Sequence, residues 1–251
     1  MAKNIIITGT SSGIGFELVK IFANNGHNVL ALSRNIEPTR DIKLSNIESI
    51  RFDINNNSDH KLLSEYISNQ WTHVDILINN AGLLINKPFS ETTTDDFNKV
   101  YSTNVFGVAE IINTILQFTK KSSHIINISS VGGIQGSVKF SGLSAYSSSK
   151  GALITLTELL AEEYKDSGII FNVLALGAVQ TKMLEKAFPG YKASCTAYDM
   201  AKYIYDFAMN SDGISSGQVV VVSDITPNSC LLYTSDAADE GLGVDLGGRR
   251  I

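Results

Sequence analysis

Short apolar runs recur along the chain, and stretches of helical period separate them. The runs are Asn4–Thr8, His27–Ser33, Ser49–Asp53, Val74–Gly82, His124–Ser130, Ile169–Leu174 and Gln218–Val222. Most are apolar for most of their length, the β-branched Asn4–Thr8 above all, which predicts strands buried on both faces. Between them, Leu18, Val19 and Phe22 fall on one helical side, as do Leu62, Leu63, Tyr66 and Ile67. Further helices are predicted over about 95–121, from Tyr146 through Leu153, Leu156, Leu159 and Leu160 to Gly168, and over 197–209. Pro38 shortens the crossover after the second strand, because its ring cannot sit inside a helix. Strand and helix alternate with no repeat or linker, so the pattern predicts an α/β fold, one doubly wound parallel sheet of seven strands with helices on both faces.

Composition narrows the picture. The 251 residues carry a net charge of −5 and are 43% hydrophobic, so there is no basic footprint for nucleic acid. No apolar stretch approaches a membrane span and the opening apolar run is too short for a signal peptide, which predicts a cytoplasmic protein with no membrane partner. Cys195 and Cys230 lack ligand spacing and the histidines are scattered, so neither a metal site nor a disulfide is expected.

The candidate chemistry sits at the ends of the predicted strands. Gly9, Gly13 and Gly15 lie between the first strand and its helix, where backbone N–H groups and the positive helix end suit a pyrophosphate. The second strand ends in Ser33-Arg34, which offers a ribose 2′-phosphate a cation where a carboxylate would hold a 2′-hydroxyl, so NADP(H) is expected over NAD(H). The alternative is a solvated Arg34. Asp53 ends the third strand, placed either to accept from an adenine amino group or to cap the next helix. Asn79 and Asn80 end the fourth strand, where their amides need partners in neighbouring strands or a ligand. Asn104 beside Gly107 in a helix interior suggests a kink or a water site. Ser130 ends the fifth strand and faces the same cleft as the glycine turn. Tyr146 and Lys150 are four residues apart, one helical turn, which sets an ammonium beside a phenol. By itself such a pair is usually a solvated helix face.

These motifs occur together and in order: Thr8-Gly-x-x-x-Gly-x-Gly15, Asn79-Asn-Ala-Gly82, Asn104, Ser130 and Tyr146-x-x-x-Lys150. Over about residues 4–222 the chain resembles the short-chain dehydrogenase/reductase family. The resemblance implies a Rossmann-like fold and hydride transfer between NADP(H) and a small carbonyl or alcohol. It makes Tyr146 the general acid/base and has Lys150 lower the Tyr146 pKa and hold the nicotinamide ribose. Ser130 would hold the substrate oxygen, with Ser129 its nearest competitor, and Asn104 a relay water. For the cofactor it implies Gly9, Ser11, Ser12, Gly13, Ile14 and Gly15 in the turn. Ser33, Arg34, Asp53 and Ile54 would serve the adenosine half. Asn80, Ala81, Gly82, Tyr146 and Lys150 would line the middle, with Gly177, Val179 and Thr181 at the nicotinamide. It also implies a homodimer or homotetramer built on the helices at about 95–121 and 146–166.

Three departures stand out. Leu176-Gly177 replaces the family's Pro-Gly, the loop at 131–145 is longer than usual, and the end of the chain differs. Residues 230–251 resemble the in-frame translation of a transposase-type sequencing adapter, and are set aside as a non-native tail, leaving a catalytic domain at 1–229 with a lid at about 177–195. Without that tail the net charge moves from −5 to −3. The competing functional reading is a catalytically silent NADP-binding regulatory protein.

Overall fold

The structure, a computed structural model, describes residues 1–210 and 215–223. The proposed tail at 230–251 lies outside the described residues.

Seven parallel strands form one sheet: β1 (Asn4–Thr8), β2 (Asn28–Ser33), β3 (Ile47–Arg51), β4 (Ile76–Asn79), β5 (His124–Ser130), β6 (Ile170–Leu176) and, after a separate two-stranded piece, β9 (Val219–Val222). Their spatial order is β3-β2-β1-β4-β5-β6-β9. The order reverses direction between β1 and β4, and ligands of such sheets bind in the crevice beyond the strand ends at that point.

The period of two in β1 divides the core. Ile5 and Ile7 face α1 (Gly13–Asn24) and α8 (Ala197–Met209) and pack with Leu18, Phe22 and Ile204. Ile6 points the other way, to the layer of α3 (Asn57–Gln70), α5 (Gly107–Leu116) and α6 (Ser144–Glu163), and packs with Leu63, Ile111 and Leu153. Each such side chain contributes roughly 1.5–3 kcal/mol by leaving water. Both faces are covered, as the unbroken apolar runs required.

Several boundaries differ from the sequence expectation. The fourth strand stops at Asn79 instead of continuing to Gly82, because the N–H groups of Asn80 and Ala81 turn to the Thr8 hydroxyl. Pro38 sits in the first turn of a four-residue helix, α2 (Glu37–Arg40), as its missing N–H allows. The helix expected over 95–121 is two helices, α4 (Thr94–Tyr101) and α5, joined by a π-helical turn at Ser102–Phe106 and ending at Leu116. The long helix α6 stops at Glu163 and not at Gly168, which instead closes a 3-10 turn in a left-handed conformation, φ 72°. The lid region has structure of its own: β7 (Val179–Gln180) pairs with β8 (Cys195–Thr196), and α7 (Lys182–Ala187) lies between them.

Candidate active site

A cavity of about 720 Å³ opens at the carboxyl ends of β1, β2, β4 and β5. Its floor begins at the glycine turn. Gly9 has φ +73°, and a Cβ there would lie 2.8 Å from Ala81 Cα, so only glycine lets β1 turn beside the β4 end. Gly15 is off the cavity wall: a Cβ would meet the Gly9 carbonyl at 2.4 Å, and its absence lets α1 press onto the turn. Ser11, Ser12, Gly13 and Ile14 do line the cavity. Ser12 is the N-cap of α1, yet its side chain makes no capping bond and the first turn has no acidic residue. The open N–H groups and helix dipole therefore face the cavity as an anion cradle. The turn fits the pyrophosphate of a dinucleotide.

The expected adenosine-side residues converge beside it. Ser33, Arg34, Asp53 and Ile54 all line the cavity. The Ser33 hydroxyl donates to the Asn35 carbonyl at 2.7 Å, whereas Arg34 is exposed and its guanidinium forms no ion pair among the described residues. Asp53 does not cap α3. Asn56 does, accepting from the Ser58 N–H at 3.0 Å, while Asp53 accepts from the Asn55 N–H in a local turn. The capping alternative for Asp53 is thereby removed.

Asn79 and Asn80 divide between two jobs. Asn80 lines the cavity and its amide donates to the Thr8 and Gly9 carbonyls, tying the β4 end to the glycine turn. Asn79 is buried and donates to Asn127, whose amide donates to Thr157 on α6. Thr8 opens the glycine motif but was given no role of its own in the sequence, although its hydroxyl accepts from both Asn80 and Ala81; a threonine ending an apolar strand carries little signal by itself.

At the other end, the α6 start meets the end of β5. Ser130 and Tyr146 both line the cavity, and the Ser130 hydroxyl bears on the phenol. The competitor Ser129 points inward and donates to the Lys150 backbone carbonyl at 2.8 Å, so its hydroxyl is occupied. Lys150 is buried, with Nζ donating to the Ile128 carbonyl at 2.7 Å and lying 5.8 Å from the Tyr146 ring centroid. Val131–Gly133 packs directly on α6, since a Cβ on Gly133 would lie 2.6 Å from the Lys150 carbonyl carbon. The longer loop that follows is closed on itself: Lys139 donates to Gly132, Ile134 and Ser137. Ser130 therefore stays opposite Tyr146 despite the extra length.

Burial governs both titrations. It pushes the Tyr146 phenol up to about 12, with the Ser130 hydrogen bond pulling the other way, and pushes the Lys150 ammonium down to about 8. Desolvation is the larger influence on the phenol and Ser130 the opposing one.

Asn104 is fully buried off the cavity wall, in the π-helical turn. Its Oδ1 accepts from the Leu83 N–H at 2.8 Å, and its Nδ2 donates to the Leu83 carbonyl and the Ser149 hydroxyl. A Cβ on Gly82 would lie 3.5 Å from Asn104 Oδ1 and 3.7 Å from Lys150 Nζ, so Asn104 and Lys150 flank the same glycine.

The segment expected as a lid touches the cofactor turn near its start and the loop before α6 in its middle. Thr181 caps α7 by accepting from the Leu184 N–H, and its Cγ2 would lie 3.3 Å from a Cβ on Gly13. Gly177 and Val179 line the cavity with it. At the far end Asn86 donates to the Ala187 carbonyl at 2.6 Å, and Asn86 also abuts Gly142 just before α6.

Residues 3–192 match the family model described as short chain dehydrogenase. The chain belongs to the short-chain dehydrogenase/reductase family. Its curated relatives include a 3-amino-tetrahydro-pyrrolizinone reductase of Xenorhabdus hominickii, 32% identical over 81% of this chain and 71% of the relative. An uncharacterized oxidoreductase of Staphylococcus saprophyticus is 31% identical over 73% of this chain and 76% of the relative. Among solved structures, ElxO with NADP bound is similar at 30% identity and TM-score 0.78, covering 89% of this chain and 98% of the other. A 4-hydroxyisoleucine dehydrogenase complexed with NADH has TM-score 0.78 and 25% identity, covering 88% and 97%. Among the described residues no helix is long and apolar enough to cross a membrane, and no cluster of metal-ligating side chains occurs.

Proposed function

We propose that this short-chain dehydrogenase/reductase is an NADP(H)-dependent oxidoreductase that reduces a small carbonyl, or oxidises the matching alcohol, with Tyr146 as general acid/base. The observation that carries the reading is the convergence of Tyr146 and Ser130 on one end of a cavity whose other end is an open helix N-terminus.

NADPH supplies the hydride when bound. Gly9, Ser12, Gly13 and the α1 N-terminus would hold its pyrophosphate, and Arg34 its 2′-phosphate. Hydride addition leaves negative charge on the carbonyl oxygen, and the Ser130 and Tyr146 hydroxyls are aimed to stabilise it. A phenol with its pKa raised to about 12 keeps its proton at neutral pH, so Tyr146 is a donor ready for that oxygen. Lys150, pinned to Ile128, fixes its ammonium near the phenol, and Asn104 holds the Leu83 backbone beside it. The same reading includes a cytoplasmic location and a homodimer or homotetramer built on α4, α5 and α6, where Phe106 and Leu159 are exposed.

Purified protein should consume NADPH only when a carbonyl from a panel of ketones and aldehydes is added. Tight NADPH binding without turnover across the panel would instead favour the silent regulatory protein.

A further inference from the structure

Within that oxidoreductase reading, on which this rests, we infer that the substrate is a neutral carbonyl compound with an apolar body, and that an anionic substrate such as an oxo acid is excluded. The charges around the cavity are few and already placed. Among the described residues the ionic side chains lining it are Arg34, Asp53, Lys150 and Lys182. Arg34 and Asp53 stand at the β2 and β3 ends, across β1 and β4 from Tyr146 in the strand order. Lys150 is buried with its ammonium on the Ile128 carbonyl. Lys182 follows Thr181, which abuts Gly13 on the cofactor turn.

The Tyr146 end has a different character. Its wall consists of Leu83 and Leu84 after Gly82, Val131 beside Ser130, Phe140 and Leu143 before Tyr146, and Phe188 from the lid. Phe188 is held there because Asn86 bonds the preceding carbonyl, of Ala187, while packing against Gly142. The loop's own ammonium, on Lys139, is spent on Gly132, Ile134 and Ser137. A carboxylate seated against this wall would lose its water and find no cation among the wall's own side chains, whereas an alkyl chain or ring would meet apolar side chains.

The test compares 2-alkanones with 2-oxo acids of equal chain length, using NADPH and the full-length protein. For the ketones kcat/KM should rise about fourfold per added methylene until the pocket is filled, and the oxo acids should lie about a hundredfold or more below. The Phe188→Lys variant, altered on the lid and away from the reacting atoms, should narrow that gap at least tenfold. A second arm needs no chemistry: the NADP-loaded protein should be stabilised against heat by alkyl amides but not by alkyl carboxylates of the same length. Oxo acids turned over as fast as ketones, or carboxylates stabilising as well as amides, would overturn the inference. Stabilisation by amides with no turnover of any carbonyl would uphold the apolar pocket and overturn the oxidoreductase reading alone.

Discussion

Ser129 and Ser130 are neighbours with opposite roles, and the strand pleat decides between them. Ser129 faces the helix and satisfies a buried Lys150 carbonyl, while Ser130 faces the cavity and meets Tyr146. The sequence preferred Ser130 from its position at the strand end, but could not show that Ser129 is tied to the helix, since that depends on α6 packing across β5. Arg34 is the converse case, a residue whose proposed role rests on what it lacks. With no ion pair among the described residues, its guanidinium is open to a phosphate at the cavity rim. Replacing it should therefore discriminate between cofactors. Arg34→Ala is expected to weaken NADPH binding about 10- to 100-fold, the value of a charge-assisted bond, and to leave NADH binding within about twofold. Equal weakening of both, measured by titration, would assign Arg34 to the turn's structure.

At the level of elements, most strands were legible because their residues are apolar on both faces, and the helix breaks were less so. Asn104 and Gly107 signalled a disturbance in the fourth crossover, but the form it takes depends on distant groups. Asn104 bonds the Leu83 backbone, and a Cβ on Gly107 would come within 2.9 Å of Ile54. The two-stranded piece in the lid had no such signal, being two residues per strand. Buried histidine illustrates an element-scale consequence. His124 opens β5, is 1% exposed, and contacts Asn172 on β6 through Nε2. Burial, aided by Lys3, lowers its pKa to about 4, below the ordinary 6.5 of an unfolded chain. The unfolded state thus binds the proton first, so stability is full above about pH 6.5 and falls as pH drops toward 4. Denaturation of the native protein should show a loss of about 2 kcal/mol between pH 7 and pH 5 from this group. His124→Gln should remove most of that slope, and an unchanged slope would assign it to other groups.

For the whole molecule, the decisive fact is that distant parts of the chain share one cleft. The glycine turn of β1, the Arg34 corner of β2, the Asn80 amide of β4, Ser130 of β5 and the Tyr146 turn of α6 line one cavity because the strand order reverses between β1 and β4. The motifs announced that convergence, since their order and spacing fit alternating strands and helices. The pocket's apolar character was not legible, because it depends on a lid folding back onto the loop before α6 through Asn86. The raised phenol was not legible either, because burial is a property of the folded cleft. All of this meets in Tyr146, and the most direct measurement separates its proton from the cleft's grip on the cofactor. In Tyr146→Phe, carbonyl-dependent NADPH consumption should fall about 10²- to 10⁴-fold, while the NADPH dissociation constant stays within about twofold. Turnover within a few-fold of the unaltered protein would contradict Tyr146 as the proton donor.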